Sequence, residues 1–204
     1  GAKDTQRAVQ AHNMAYIGNG RTAIVTQNGV KVGFCAFSMM DGTGVATVRN
    51  VVKRLSKSCH VVVASFHWGT DFTYTVNASQ KAVAHAAVLA GADLVVGHHP
   101  HVVSGVEKYK DKYIVYSLGT LSSAIMTPKD MDAMIFRQSF SVDTVSGYVG
   151  DAGVRVAACT MSTNENKNNA LPDFLGGADK QRVLDKIKYD SKGFAQRLPD
   201  DTLG

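Results

Sequence analysis

Two stretches of this sequence decide its fold: HVVVASFHWG at residues 60–69 and GADLVVGHHPH at residues 91–101. Each opens with apolar, mostly β-branched residues and ends in histidines, which is typical of a buried parallel strand followed by a polar loop. Between them, Asn77 can cap a helix that runs to about Ala90. Strand, helix and strand in this order predict a right-handed parallel crossover.

The remaining segments extend this unit into a single α/β domain. Upstream, the sequence predicts a helix at 4–13, a short strand at 15–18, a hairpin of strands 23–27 and 30–38 joined by Asn28-Gly29, and a helix at 44–58. Downstream, it predicts a hairpin of strands 102–109 and 113–118, β-rich stretches near 132–142 and 153–161, a polar loop at 164–169 and a helix at about 178–188. A parallel half followed by an antiparallel half predicts two packed sheets with helices outside.

Composition excludes several classes of protein. With 204 residues, 45% hydrophobic and 19% charged, the chain can bury a sizeable core and is too apolar to be disordered. No apolar run reaches the 18 or more residues that a membrane span needs, and residues 1–10 lack the pattern of a signal peptide. The net charge is +5, but the basic residues are scattered among acids, so we predict no nucleic-acid partner.

Both histidine clusters follow strands of the predicted parallel sheet. Ligands bind beyond the carboxyl ends of such strands, because the loops diverge there and leave a crevice. Neutral imidazoles suit Zn, Mn and Fe, and we therefore predict His67, His99 and His101 as metal ligands. For His67 alone, a hydrogen-bonded histidine at a strand end is the alternative. His98 is adjacent to His99 and should point elsewhere, either to a substrate or metal ligand or into structural packing.

Residues 66–120, from FHWGTDF to YSLGT, carry a family resemblance. They resemble the CapA/PgsA capsule (poly-γ-glutamate) synthesis family, whose members show HWG with a following acid, a later Gln, GADLVVGHHPH, a Glu and YSLGN. Residues 4–21 are similar to the segment that follows an Asn-Asn-His motif in that family. The resemblance covers the whole chain and implies a calcineurin-like metallophosphoesterase fold, an α/β/β/α sandwich of two sheets flanked by helices. Residues 1–204 would form the C-terminal portion of that single domain.

The resemblance also implies roles for the histidines. His67 matches the isolated histidine ligand of the superfamily, and His99 and His101 match the paired histidines of its Gly-His-x-His motif. His98 and Trp68 match positions near the site, and His98 is the candidate catalytic residue of this chain.

Three further positions match or depart from the family pattern. Asp71 stands where the family usually has Glu, so it is a candidate substrate or ligand contact with a shorter reach, or else a solvated loop acid. Glu107 matches a family Glu and is predicted to orient a histidine, with a surface strand residue as the alternative. Thr120 replaces the usual Asn.

The family site contains ligands that have no counterpart in this chain. An Asp, a bridging acidic residue and an Asn-His pair lie upstream of the segment that matches Gly1. The resemblance therefore implies two divalent ions, Mn, Fe or Zn, in the complete protein, and an N-terminal fragment of the same protein as partner. It also implies an extracytoplasmic protein that associates with the membrane through an upstream anchor.

Two functions are compatible with this reading. The first is a metal-dependent phosphoesterase-like hydrolase in synthesis, release or export of a capsule polymer, acting on an anionic polymer or phosphoester. The alternative is a noncatalytic accessory or polymer-binding subunit that retains the fold.

Overall fold

The computed structural model describes residues 1–18, 20–123, 131–164, 167–196 and 198. The helices are α1 (Ala2–Ala11), α2 (Val45–Ser56), α3 (Ala78–Leu89) and α4 (Gly177–Asp190). The strands are β1 (Thr22–Gln27), β2 (Val30–Ser38), β3 (Val61–His67), β4 (Leu94–His98), β5 (Val106–Tyr109), β6 (Lys112–Val115), β7 (Asp132–Val142), β8 (Val149–Thr160) and β9 (Asp173–Phe174).

The strands form two sheets. The larger has six strands in the order β1-β2-β3-β4-β6-β5, and the smaller has three in the order β7-β8-β9. Strands β2, β3, β4 and β6 run parallel, while β1 and β5 are antiparallel to their neighbours at the two edges. The predicted α/β class, with two sheets and flanking helices, is confirmed.

Local sequence signals set several of these boundaries. Asn77 caps α3, because its side chain accepts from the Gln80 amide at 2.8 Å and the Gln80 side chain accepts from the Asn77 amide at 3.0 Å. The β1–β2 hairpin turns at Asn28 and Gly29, whose φ angles of 50° and 80° are those a tight hairpin requires. These two predictions from the sequence are confirmed.

Two apolar cores lie on opposite faces of the larger sheet. On one face, β2, β3, β4 and β6 pack against the apolar sides of α2 and α3. On the other face, β5 and β6 pack against β7, β8 and α4. Strand β6 contributes to both, because Ile114 points into the first core and its neighbours Tyr113 and Val115 into the second. The second core thereby holds the two sheets together.

Some predicted elements differ from the structure. No strand forms at 15–18. Gly18, the last residue of this segment, has φ 114° and forms an isolated bridge with Arg21. Strand β5 begins at 106 rather than 102, β8 begins at 149 rather than 153, and β9 was not predicted, since two residues are too few to show an alternating pattern. The loop predicted at 164–169 lies partly outside the described residues.

None of the helices in the described part of the chain combines the length and the apolar character that crossing a bilayer requires.

Candidate metal centre

The histidines lie along one edge of the larger sheet. Ser38, His67 and His98 occupy the ends of β2, β3 and β4, and the parallel register places them side by side. The loops that follow these strands therefore open at the same edge, as the crossover predicts.

The structure brings the rings of the three predicted ligands near one another, and the ligand atoms of two of them, His99 and His101, lie in one donor group. The ring centroids of His67 and His99 are 4.5 Å apart, and those of His99 and His101 are 6.0 Å apart. His67 and the pair are about thirty residues apart in the sequence, and the β3–β4 pairing brings them close in space. Their assignment as metal ligands remains a prediction.

The backbone around the paired histidines adopts an unusual conformation. His99 has φ 99° and His101 has φ 60°, on either side of Pro100. Residues with a Cβ rarely take such angles, at a cost of about 1–3 kcal/mol each, and they concentrate at functional sites. In this loop, both rings reach the same carboxylate, that of Asp71.

Asp71 completes a compact group of donors. Its Oδ1 lies 3.5 Å from Nδ1 of His99 and 3.8 Å from Nε2 of His101, and the three ligand atoms lie within 4.8 Å of one another. Ligands at about 2.0–2.1 Å from a tetrahedral ion are separated by roughly 3.4 Å, so the two measured distances fit a shared ion with little adjustment. Asp71 thus lies beside both histidines, and its role as a ligand or contact residue remains a prediction.

Thr120 orients one of these histidines. Its Oγ1 lies 3.0 Å from Nδ1 of His101, on the ring nitrogen that does not face Asp71. A partner at the outer nitrogen fixes the orientation and tautomer of a ligating imidazole. The hydroxyl therefore performs a positioning role at the position where the family usually has Asn.

The electrostatic surroundings favour neutral imidazoles. The pKa of His67 is lowered by desolvation and by the neighbouring His99 and His101, while Asp41 and Asp71 oppose this shift. The pKa of His98 is lowered by desolvation and by His67. A neutral ring retains the lone pair that a metal ion or a proton requires.

His98 and His67 line a cavity of about 270 Å³ beside the donor group. Tyr16 and Ser38 contribute polar groups to its wall, and Phe37 and Phe66 contribute apolar surface. His98 is therefore accessible from this cavity, and its catalytic role remains a prediction.

Trp68 has a structural position instead. Its ring is buried, stacks on Phe66 at 4.7 Å, and donates from Nε1 to the carbonyl of Tyr116 at 2.9 Å. Gly97 allows this arrangement, because a Cβ there would meet the Tyr116 carbonyl at 2.1 Å and the indole nitrogen at 2.5 Å. Trp68 thus supports the strands that carry the histidines and does not face the donor group.

Glu107 orients a different histidine from those in the centre. It is buried, accepts from the Tyr116 hydroxyl at 2.6 Å, and lies 3.0 and 3.1 Å from Nε2 of His85. The His85 ring in turn stacks on Tyr109 at 3.8 Å. Glu107 therefore joins α3 to β5 and β6, and the alternative of a surface residue is excluded.

The sequence analysis missed two residues at this edge, although the rule that ligands bind beyond the carboxyl ends of parallel strands could have found them. Ser38 is the last residue of β2 and Asp41 lies three residues after it, and β2 lies beside β3 at the edge that carries His67. Asp41 is close enough to raise the pKa of His67. The missing signal was the order of strands, because the sequence does not state that β2 neighbours β3.

Comparisons with known proteins agree with the resemblance. The family model described as bacterial capsule synthesis protein PGA_cap matches residues 1–124. The capsule biosynthesis protein CapA of Bacillus anthracis is 33% identical over 229 aligned positions, which include 100% of this chain and 53% of that protein. The PGA biosynthesis protein CapA of Bacillus subtilis (strain 168) is 30% identical over 141 positions, covering 58% of this chain and 37% of that protein.

A solved structure was also compared. The putative 5'-nucleotidase of Staphylococcus aureus superimposes with a TM-score of 0.46 and 11% identity, over 82% of this chain and 33% of that one.

The chain spans about half the length of the Bacillus anthracis relative, and a smaller share of the Bacillus subtilis relative. The family model nevertheless matches more than half of the chain, and the first of these relatives aligns with all of it. On this evidence, the chain belongs to the bacterial capsule synthesis family PGA_cap.

Proposed function

We propose that this chain contributes the histidine side of a divalent-metal centre in a phosphoester hydrolase. The hydrolase acts in synthesis, release or export of an anionic capsule polymer such as poly-γ-glutamate. The observation that carries the proposal is the convergence of Asp71, His99 and His101 on one point at the carboxyl edge of the sheet. Membership of a capsule synthesis family supplies the biological setting.

Each residue of the site has a task in this proposal. Bound divalent ions, Mn, Fe or Zn, would activate a water molecule and stabilise phosphoryl oxygens. His99, His101 and Asp71 hold the ion, with His67 beside them, and Thr120 keeps the His101 ring in its orientation. His98 faces the adjacent cavity, where it can exchange a proton or a hydrogen bond with a bound phosphoester.

The donor group by itself would hold a dication poorly. Among the described residues, the group contains one carboxylate and two histidines, so it compensates only one positive charge of a dication. Two ions held about 3.5–4 Å apart need further anionic ligands. We propose that residues from an upstream part of the same protein supply them, and that this part also anchors the protein to the outer side of the membrane.

The test measures metal content and hydrolysis together in a protein that includes the upstream part. Manganese, iron and zinc are quantified by mass spectrometry, and bis-p-nitrophenyl phosphate serves as the phosphodiester. The variants are Asp71→Asn and His99→Ala, with His12→Ala as the matched control because His12 lies outside the group, at the C-terminal cap of α1. We expect both site variants to lose metal and activity together, and the control to lose neither.

Two other results would count against the proposal. Stoichiometric metal without hydrolysis would favour the alternative, a noncatalytic accessory subunit that keeps the fold. Hydrolysis that survives His99→Ala and a chelator would contradict the metal centre itself.

A further inference from the structure

Two arginines face each other on the smaller sheet. Arg137 on β7 and Arg155 on β8 are direct register partners in an antiparallel pair. Both are exposed, and they share a face with the register pair two residues away, Ile135 and Ala157. We call this face, defined by these four residues, the outer face. The opposite side carries Met134, Phe136 and Val156, which pack into the core between the sheets.

The pair has no counterion among the described residues. No carboxylate in that part of the chain forms an ion pair with either guanidinium. Arg182, in contrast, donates two hydrogen bonds to Asp132, at 2.6 and 2.8 Å. Like charges directly opposite each other destabilise a sheet. The register therefore places two like charges on opposite strands, an unfavourable arrangement that a bound anion would relieve.

The two guanidiniums border an open space of suitable size. A cavity of about 420 Å³ is lined by Arg137, Ser139, Ala152, Gly153, Val154 and Arg155. The β7–β8 register shifts between Gln138 and Phe140, and such bulges redirect side chains and often lie beside functional sites. The acid nearest in sequence, Asp151, accepts from the Gly153 amide at 3.0 Å and so is held by its own turn.

The outer face is continuous with the candidate metal centre. Gly119 pairs with Ala133 of β7, and the next residue, Thr120, holds His101. Leu121 then joins Ile135, Cys159 and Phe174 around an apolar cavity of about 230 Å³. Arg137 follows Ile135 by two residues on the same face, which is about 7 Å along the strand.

We propose that the outer face binds an anionic polymer whose carboxylates are held by Arg137 and Arg155. The guanidinium group suits this ligand because it binds a carboxylate through two parallel hydrogen bonds. An extended polymer on this face runs from the arginine pair across Leu121 and Ile135 to the loop of Thr120. Its identity as a polycarboxylate rests on the proposed role in capsule polymer metabolism, whereas the binding step requires no hydrolysis.

The test is direct binding of fluorescently labelled poly-γ-glutamate to the 204-residue chain, in EDTA so that metal plays no part. The double variant Arg137→Gln/Arg155→Gln is compared with Arg49→Gln/Arg54→Gln, which removes the same charge from exposed positions of α2. We expect roughly five- to tenfold weaker binding for the first variant and less than a twofold change for the second, since exposed charge pairs are individually weak. Replacing both arginines by lysine should give an intermediate loss, because charge is kept and the bidentate geometry is not.

A second measurement compares thermal stability, and its first part requires no bound polymer. Without polymer, the Arg137→Gln/Arg155→Gln variant should melt no lower than the wild type, because it loses a like-charge contact. With polymer, the wild type and the Arg49→Gln/Arg54→Gln control should gain more thermal stability than the Arg137→Gln/Arg155→Gln variant.

Several outcomes would overturn the proposal: equal losses in the two double variants, no binding by the wild type at 50 mM salt, or polyphosphate binding as tight as poly-γ-glutamate. None of them bears on the metal centre, which is tested separately by metal content and phosphodiester hydrolysis.

Discussion

The hydroxyl of Thr120 lies 3.0 Å from Nδ1 of His101, and the other nitrogen of the same ring faces Asp71 at 3.8 Å. A side chain from the loop after β6 thus fixes a predicted metal ligand from the loop after β4. The contact joins the two loops at the edge of the sheet where the histidines lie.

The first prediction tests that contact. Thr120→Val keeps the shape of the side chain but removes the hydrogen bond. It should weaken metal binding about 10-fold, which is the lower end of the loss expected when the hydrogen-bond partner of a metal ligand is removed. Thr120→Ser keeps the hydroxyl and serves as the control. Isothermal titration with Zn²⁺ or Mn²⁺, in a protein that includes the upstream part, measures both. Equal affinities for the valine and serine variants would show that Thr120 does not orient the ring.

The second prediction concerns the backbone strain at His99. With φ 99°, this position suits glycine, so metal-free His99→Gly should be more stable than His99→Ala by about 1 kcal/mol. This order is the reverse of the usual one, in which Gly is less stable than Ala. Urea unfolding of the two variants in EDTA gives the comparison. A more stable alanine variant would mean that the left-handed conformation is not maintained.

The third prediction separates Glu107 from the metal centre. Glu107→Gln replaces a buried carboxylate bound by His85 and Tyr116, and it should lower the free energy of unfolding by about 1–3 kcal/mol. Metal affinity should not change, because Glu107 contacts none of the predicted ligands. The exposed substitution Asp111→Asn is the control and should change stability by less than about 0.5 kcal/mol, because Asn also tolerates the positive φ of this turn. A loss of metal affinity in Glu107→Gln would instead support the role that the sequence suggested.

The fourth prediction is a pH dependence at Asp190. Its Oδ2 is buried without a hydrogen-bond partner among the described residues, and burial raises the pKa of this carboxyl, although Lys186 opposes the shift. The folded state therefore binds the proton more tightly than the unfolded state. Stability is lost as the pH rises from the unfolded value near 3.9 through the raised folded value.

Asp190→Asn should remove this loss, because the amide does not ionise. We expect the difference in melting temperature, variant minus wild type, to be larger at pH 7 than at pH 4. Thermal melts at both pH values check it. A constant difference between the two proteins would show that Asp190 titrates normally.

The fifth prediction follows from the composition of the metal site. With one carboxylate among the donors, the 204-residue chain alone should hydrolyse no phosphodiester when Mn, Zn or Fe is added. An upstream polypeptide that supplies further acids should copurify with the chain and restore activity, and intact mass spectrometry would identify it. Isolation of the chain as a single folded species without a companion would argue against this partner. Turnover by the chain alone that persists in a chelator would contradict the metal mechanism.

The sequence by itself determined the parallel crossover and the position of the histidines at the ends of its strands. Apolar runs, the Asn77 cap and the Asn28-Gly29 turn are local signals, and each acts within a few residues, so they can be read without a structure. The strand ends at His67 and His98 followed from the same patterns, and they placed the candidate site at the carboxyl edge of the sheet.

Only the tertiary structure decided which side chains meet. Thr120 reaches His101, Glu107 reaches His85 rather than the metal ligands, and Arg137 faces Arg155, yet none of these pairs is close in sequence. Each depends on strand order and register, which arise when distant segments bury their apolar faces against each other in the two cores. Register and packing are properties of the whole chain, and a shift of one residue would turn every side chain of a strand to the opposite face.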